Sequence, residues 1–333
     1  MTSVIAPPAT RIGIGTFVPD VTSTLDLAAR AEQAGVGTLW LVMPPTNHDT
    51  PTVAAAILAG TERLQVGTAI VPAFTRHPLA LATQASALDA LAPGRFRLGI
   101  GTGNLGVMAS GFGTPIAHPA TQLGDYARVL RDALATGAVH HTGAHYSIDA
   151  QVQAAPGLPV LIAALGPRLF TIAGEVADGA ISWMCPLPYL DEVARPAMER
   201  GAAAAGRDAP RLVTHVPVVA HPSRAAALAA ARPGADRFAA NPQYAAMFAR
   251  AGLPVAPGRA SRELVDALVV SGDEAELTDR LGALAERTDE LIVSMDVVDD
   301  AEAELEVLLR AAGAVERALS RGGGASGSRT LRA

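Results

Sequence analysis

VGTAIVPAFTRHPLALATQASALDALAPGRFRLGIGTG, residues 66–103, reads as one complete strand–helix–strand unit. It opens inside the apolar run 64–71 (LQVGTAIV) and closes on 95–101 (RFRLGIG). Both runs are continuous rather than alternating, as strands buried on two faces of a parallel sheet require. Between them, 78–91 carries a helical pattern, with Pro78 where a first helical turn tolerates proline. The same unit repeats outward in both directions. Upstream lie strand-like runs 11–17 and 37–43, with helical patterns 22–34, closed by Gly35, and 51–60. Downstream lie runs 158–164, 179–184, 211–219 and 289–297, with helical patterns 121–136, 167–177, 187–205, 261–286 and 300–318. Eight strand–helix units predict an α/β fold, a single (β/α)8 TIM barrel spanning 11–318. A doubly wound open sheet is the rival, but open sheets seldom keep eight regular units. Two insertions are expected, 102–157 after strand 4 and 220–260 after strand 7. Long loops at strand C-termini are where barrels build their sites.

The 333 residues are 50% hydrophobic but only 4% aromatic, so the core must come from Ala, Val, Leu and Ile. Net charge is −6 and no basic block occurs, which argues against nucleic-acid binding. All 26 cationic residues are arginine, so lysine Schiff-base chemistry and a Walker-type lysine are excluded. One cysteine, Cys185, excludes an internal disulfide framework and multi-cysteine metal sites. No secretory signal and no 18-residue apolar run is visible, so a cytoplasmic protein off the membrane is the default expectation. Residues 1–10 and 319–333, the latter Gly/Ser-rich, read as flexible ends.

Four stretches are candidates for chemistry. Gly101-x-Gly103-x-x-Gly106, with Asp125 about 20 residues on, has the spacing of a dinucleotide fingerprint. Its context differs: VMASGFGTP after Gly106 is read as unable to open a helix, and Asp125 lies in a helical pattern. A glycine-rich loop at the top of strand 4, open to a flat ring or phosphate, is the better reading. His140, His141 and His145 read as a solvated hairpin, with no metal site. In LIAALGPRLFTIAGEVADG, 161–179, a strand runs into Gly166-Pro167 at a helix start that suits an anion, with Arg168 adding charge; an ordinary tight turn fits the same residues. Arg76 and His77 precede a helix and face either a pocket or solvent. There is no G-x-S-x-G elbow, and the acidic stretch 299–306 reads as a solvated face.

Taken together, GTLWLV (37–42), the opening stretch 66–103, PVLIAALGPRLFTIAGEVADGAISWM (159–184) and AAAAGRDAPRLVTHVPVV (202–219) resemble the bacterial luciferase-like oxidoreductases, in particular the coenzyme F420-dependent ones. The likeness covers roughly residues 11–310 and implies the same barrel. It implies a cis peptide bond at Ala69–Ile70 behind the deazaflavin ring and a loop of Gly101, Thr102, Gly103 and Asn104 beside it. It also implies a phosphate cradle of Ala164, Leu165, Gly166 and Pro167. The strand-2 end of such relatives often carries Ser-Asp-His; here it is Val42-Met43-Pro44-Pro45, with His48 further along. Met43 is therefore carried as a cofactor contact, and His48 and His77 as the proton-transfer candidates beside bound water. The implied function is hydride transfer between F420 and a small organic substrate, the cofactor carrying the chemistry. A positive groove near Arg168 or Arg76 would suit the polyglutamyl tail of F420. The alternatives are an FMN-dependent monooxygenase fed by a separate reductase and a flavin-binding barrel without turnover. A homodimer is expected.

Overall fold

The computed structural model describes residues 10–44, 46–113 and 116–323. Eight parallel strands close a barrel: β1 (Ile12–Phe17), β2 (Thr38–Val42), β3 (Gln65–Thr68), β5 (Phe96–Gly101), β8 (Val160–Ala163), β9 (Gly179–Ser182), β10 (Arg211–Val219) and β12 (Glu290–Met295). β10 pairs with both β9 and β12, and β12 with β1, which completes the ring. The expected run 64–71 is divided: β4 (Val71–Pro72) continues past a cis Ala69–Ile70 bond and pairs with Ile100 and Gly101.

Every barrel strand lies inside an apolar run, because each must bury both faces. The inner face packs Trp40, Ala69, Leu161, Ile181, Val213 and Ile292 together. With so few aromatic side chains, one indole fills much of that interior. A Cβ at Gly67 would collide with the Trp40 ring, so the glycine is what admits it.

The helices form the outer ring: α1 (Val21–Ala34), α2 (Thr50–Gly60), α3 (Pro78–Leu91), α5 (Pro119–Thr136), α6 (Pro167–Val176), α8 (Arg195–Ala204), α12 (Glu274–Arg287) and α13 (Ala301–Gly323). α1 starts where Asp20 accepts from Ser23 N–H and ends on Gly35 at φ 83°, the expected stop. A short turn α7 (Leu187–Tyr189) and a π-helical stretch Leu190–Ala194 lead into α8. Among the described residues no helix is long and apolar enough to cross a membrane.

The first insertion holds α4 (Leu105–Phe112), α5 and the antiparallel hairpin β6 (Ala138–Thr142) with β7 (Ser147–Gln151). The second holds α9 (Arg224–Ala239) and α10 (Pro242–Arg250), followed by α11 (Arg262–Leu268) and β11 (Val270–Ser271).

Four expectations are corrected. A helix does open after Gly103, because the Asn104 side chain accepts from the N–H groups of Gly106 and Val107 and caps α4. The single helix expected over 261–286 is two: Val270 and Ser271 leave it to pair with Val218 and Val219, and α12 restarts on a capping box of Asp273 and Glu276. Thr10 is not frayed; it is buried and shares a 2.9 Å hydrogen bond with Thr38. The C-terminal helix continues through Gly323, past the expected end at 318. Residues 1–9 and 324–333 of the expected flexible ends, and Pro45, lie outside the described residues.

Candidate functional site

The strand C-termini surround a cavity of about 710 Å³, built mostly from backbone and small side chains. Ile70, just past the cis bond, and Gly101 form one wall. A Cβ on Gly101 would lie 2.8 Å from Ile70 Cγ1 and 3.0 Å from Ala163 Cβ, so only glycine leaves that wall flat. The next turn, Thr102 to Asn104, bends through Gly103 at φ 64°, a conformation glycine adopts freely. The Asn104 side-chain oxygen is engaged as the α4 cap.

The adjoining wall is Ala163, Ala164, Leu165 and Gly166. The Tyr189 hydroxyl donates to the Leu165 carbonyl at 2.7 Å and fixes this turn. Gly166 then caps α6 with no side-chain hydrogen bond to the first turn, and a Cβ there would meet nothing within 4 Å. Pro167 opens the helix behind the lining. An uncapped ten-residue helix start facing a cavity presents partial positive charge to whatever occupies it. Arg168 and Arg250 stand on the lining, which includes no carboxylate among the described residues. Arg168 is steered by donating to Thr121 Oγ1 at 2.6 Å. The chemistry of this donor set suits an anionic group beside a planar one.

Of the residues expected at the site, Ala69, Ile70, Gly101, Thr102, Gly103, Asn104, Ala164, Leu165 and Gly166 line one cavity. Met43 is buried in the core instead, and its neighbour Val42 lines the cavity. Neither histidine lines it. His48 is exposed on the loop before α2. His77 Nδ1 accepts from Leu79 N–H at the start of α3, and the ring meets Tyr146 edge-on. Arg76 is also committed elsewhere, 2.7 Å from Asp49 and 2.9 Å from Gln84. Its partner Asp49 resists burial and, through Thr52 and Arg76, stays below the ordinary carboxylate range. On the expected hairpin His140 pairs with Asp149 across the strands, and His145, in the turn, pairs with Asp125 of α5. No cluster of three or more metal-ligating side chains occurs among the described residues.

The remaining walls come from residues that sequence reasoning did not single out. Trp183 closes the β9 end, and Phe238, Asn241, Gln243 and Tyr244 descend from the second insertion. Burial, with Cys185 nearby, pushes the Tyr244 hydroxyl well above its ordinary value, so it stays a neutral donor. The one available signal was the insertion itself, since Asn241-Pro242 announces a capped helix that overhangs the mouth.

A family model for luciferase-like monooxygenases matches residues 1–291. The chain belongs to the luciferase-like monooxygenase family. An F420-dependent glucose-6-phosphate dehydrogenase of Microbacterium testaceum (strain StLB037) is 32% identical over 221 residues, covering 61% of this chain and 66% of the relative. The match thus spans just under two thirds of that relative's length. A 5,10-methylenetetrahydromethanopterin reductase of Methanopyrus kandleri is 24% identical over 321 residues, covering 84% and 90%. Among solved structures, the F420-dependent tetrahydromethanopterin reductase of the same organism superposes with a TM-score of 0.72 at 21% identity, covering 90% of this chain and 97% of that one. An F420-dependent secondary alcohol dehydrogenase gives 0.75 at 19%, covering 92% and 99%. These structures share the barrel fold of this chain.

Proposed function

We propose that this luciferase-like chain is an F420-dependent oxidoreductase, moving a hydride between the deazaflavin and a small organic substrate. The observation that carries the reading is the acid-free cavity, which joins a flat glycine and isoleucine wall to an uncapped helix start flanked by Arg168 and Arg250. The glucose-6-phosphate dehydrogenase named above as F420-dependent supports it.

When bound, the deazaflavin supplies the hydride chemistry. The protein's part is placement. Ile70 and Gly101 would support one ring face, leaving the other toward Trp183. The N–H groups at the start of α6 would hold the phosphate. The two arginines would meet the anionic tail, a demand that FMN does not make. Phe238 and Tyr244 overhang the cavity and keep water from the reacting face.

An FMN-dependent monooxygenase on the same barrel is the second reading, favoured by the family's own description and by an FMN-bound Baeyer–Villiger monooxygenase that superposes with a TM-score of 0.66 at 15% identity. Parallel visible-absorbance titrations with F420 and FMN separate the two. F420 is expected to bind at least ten-fold more tightly, about 1.4 kcal/mol. Saturable FMN binding with no F420 binding would replace the proposal with the monooxygenase.

A further inference from the structure

The mouth cavity has no side chain that takes up or gives up a proton near neutral pH. Its lining includes no aspartate, glutamate, histidine or cysteine among the described residues. Residues 1–9, 45, 114–115 and 324–333 bring none of these side chains either. His118, next to lining Pro119, is exposed and off the lining. Cys185 is buried, and burial pushes its thiol up to about 12, so it keeps its proton. His215 and Asp296 line a separate chamber of about 370 Å³. Phe17, Trp183 and Phe238 line both spaces and divide them.

The reacting side offers flat surface and one uncommitted donor instead. His215 stacks on the back of Trp183 with ring centroids 3.5 Å apart and planes at 9°, and Phe17 meets the indole edge-on at 6.3 Å. The indole is therefore a fixed planar wall. Tyr244, in the first turn of α10, packs on Phe238 with ring centroids 4.7 Å apart and lines the cavity. Its hydroxyl has no hydrogen-bond partner among the described residues. Because that hydroxyl holds its proton so firmly, it offers a hydrogen bond without ionising. Beside it, Asn241 accepts from Gln243 N–H through its side-chain oxygen, which leaves its amide NH2 as a second donor. Arg168 and Arg250 are the only charged groups on the described lining, and the proposed function places both at the cofactor's anionic tail.

These features sort hydride partners by their chemistry. Oxidising an alcohol requires a base for its hydroxyl proton, and the lining supplies none. Reducing an isolated carbonyl concentrates charge on one oxygen, which calls for an acid as the hydride arrives. A cationic iminium acceptor would meet two arginines and no carboxylate. A conjugated acceptor needs neither acid nor base in the hydride step. Its charge spreads over carbon and oxygen, and a hydrogen bond to the oxygen suffices.

We propose that the side of the cavity between Trp183 and α10 takes a planar, uncharged α,β-unsaturated carbonyl compound, that the enzyme reduces its carbon–carbon double bond, and that Tyr244 holds the carbonyl oxygen. The proposal rests on the cavity being the deazaflavin site, with reduced F420 as the reductant. A C–H bond of the reduced deazaflavin breaks with its electron pair, and a new C–H bond forms at the substrate β-carbon. The double-bond electrons shift toward the carbonyl and leave an enolate, whose oxygen accepts from the Tyr244 hydroxyl. The α-carbon then takes a proton from water, and a ring N–H of the deazaflavin releases one to water. The net transfer is one hydride and one proton.

The test uses the full chain with reduced F420 and matched probes: benzylideneacetone, its saturated product benzylacetone, and glucose 6-phosphate with oxidised F420. Deazaflavin absorbance is the readout. Benzylideneacetone should be reduced to benzylacetone, with benzylacetone itself and glucose 6-phosphate turned over at least about 100-fold more slowly. Reduced F420 carrying deuterium at its reacting carbon should deliver it to the β-carbon, read by NMR of the product. Tyr244→Phe keeps the ring packing and should lower kcat about 100-fold, with KM and the F420 Kd each within about two-fold. Equal or faster turnover of benzylacetone or glucose 6-phosphate would overturn the substrate class, as would deuterium at the carbonyl carbon. An unchanged kcat in Tyr244→Phe would remove Tyr244 from the reaction. F420 binding without reduction of the enone would sink this proposal alone; no F420 binding at all would sink the cofactor reading beneath it.

Discussion

The two poles of the barrel treat buried charge in opposite ways. At the N-terminal pole Arg97 and Glu290 are both more than nine-tenths buried, and they are tied together. Arg97 donates to Glu290 Oε1 at 2.7 Å and lies over the Trp40 ring at 4.6 Å. Trp40 Nε1 donates to the same carboxylate oxygen at 3.2 Å, and Thr10 and Thr38 complete the cluster. At the C-terminal pole the Asp296 carboxyl, just past β12, has no hydrogen bond or ion pair among the described residues, and the start of α6 has no side-chain cap. Charges paired at the floor serve the barrel. Polar groups left open at the mouth are free to meet a ligand.

Three substitutions would break or sharpen that contrast. The largest effect belongs to the floor. Glu290→Ala strands a buried guanidinium and should cost about 3–5 kcal/mol in urea-induced unfolding. The F420 Kd of the folded protein should stay within two-fold. If binding is lost while stability holds, the poles are not separate.

Gly166→Asp is the converse. A Cβ there meets open space at an ordinary φ of −101°, so stability should hold within about 0.5 kcal/mol. A carboxylate at the helix start should weaken F420 by about 1–2 kcal/mol, roughly five- to thirty-fold in Kd. An unchanged Kd in the folded variant would remove this turn from the site.

Arg168→Ala should have the smallest effect, because the side chain is exposed. A loss of up to about 1 kcal/mol is expected, together with a shallower dependence of the F420 Kd on sodium chloride. A variant as salt-sensitive as wild type would show that the tail runs elsewhere.

The elements with local causes were readable from the chain. α3 runs Pro78–Leu91, as its pattern predicts, because proline and the apolar spacing both act within a few residues. The helix start after Gly166 was readable because Pro167 marks a first helical turn within one residue. α4 was missed for a related reason: three glycines suggested a loop, while the Asn104 cap, a one-residue signal, was underweighted. The histidines misled in the other direction. His77 is chemically versatile in a sequence, but its Nδ1 is occupied at the helix start. The Trp183–His215 stack joins residues from adjacent strands 32 positions apart, and no periodicity within either segment announces it. The same holds for Asp296, whose meaning depends on the absence of neighbours that only the folded barrel defines.

The chain contains two tryptophans, and the fold assigns one to each pole. Trp40 is sealed in the floor beneath a guanidinium, and Trp183 stands on the lining of the mouth cavity. Intrinsic fluorescence therefore carries two separable signals without any label. Emission from Trp40 responds when the barrel comes apart. Emission from Trp183 responds when the mouth cavity gains an occupant. With Trp40 replaced by phenylalanine, ligand titrations become a single-fluorophore measurement at the site itself. With Trp183 replaced, the remaining indole follows unfolding and ignores the ligand except through the stability it confers.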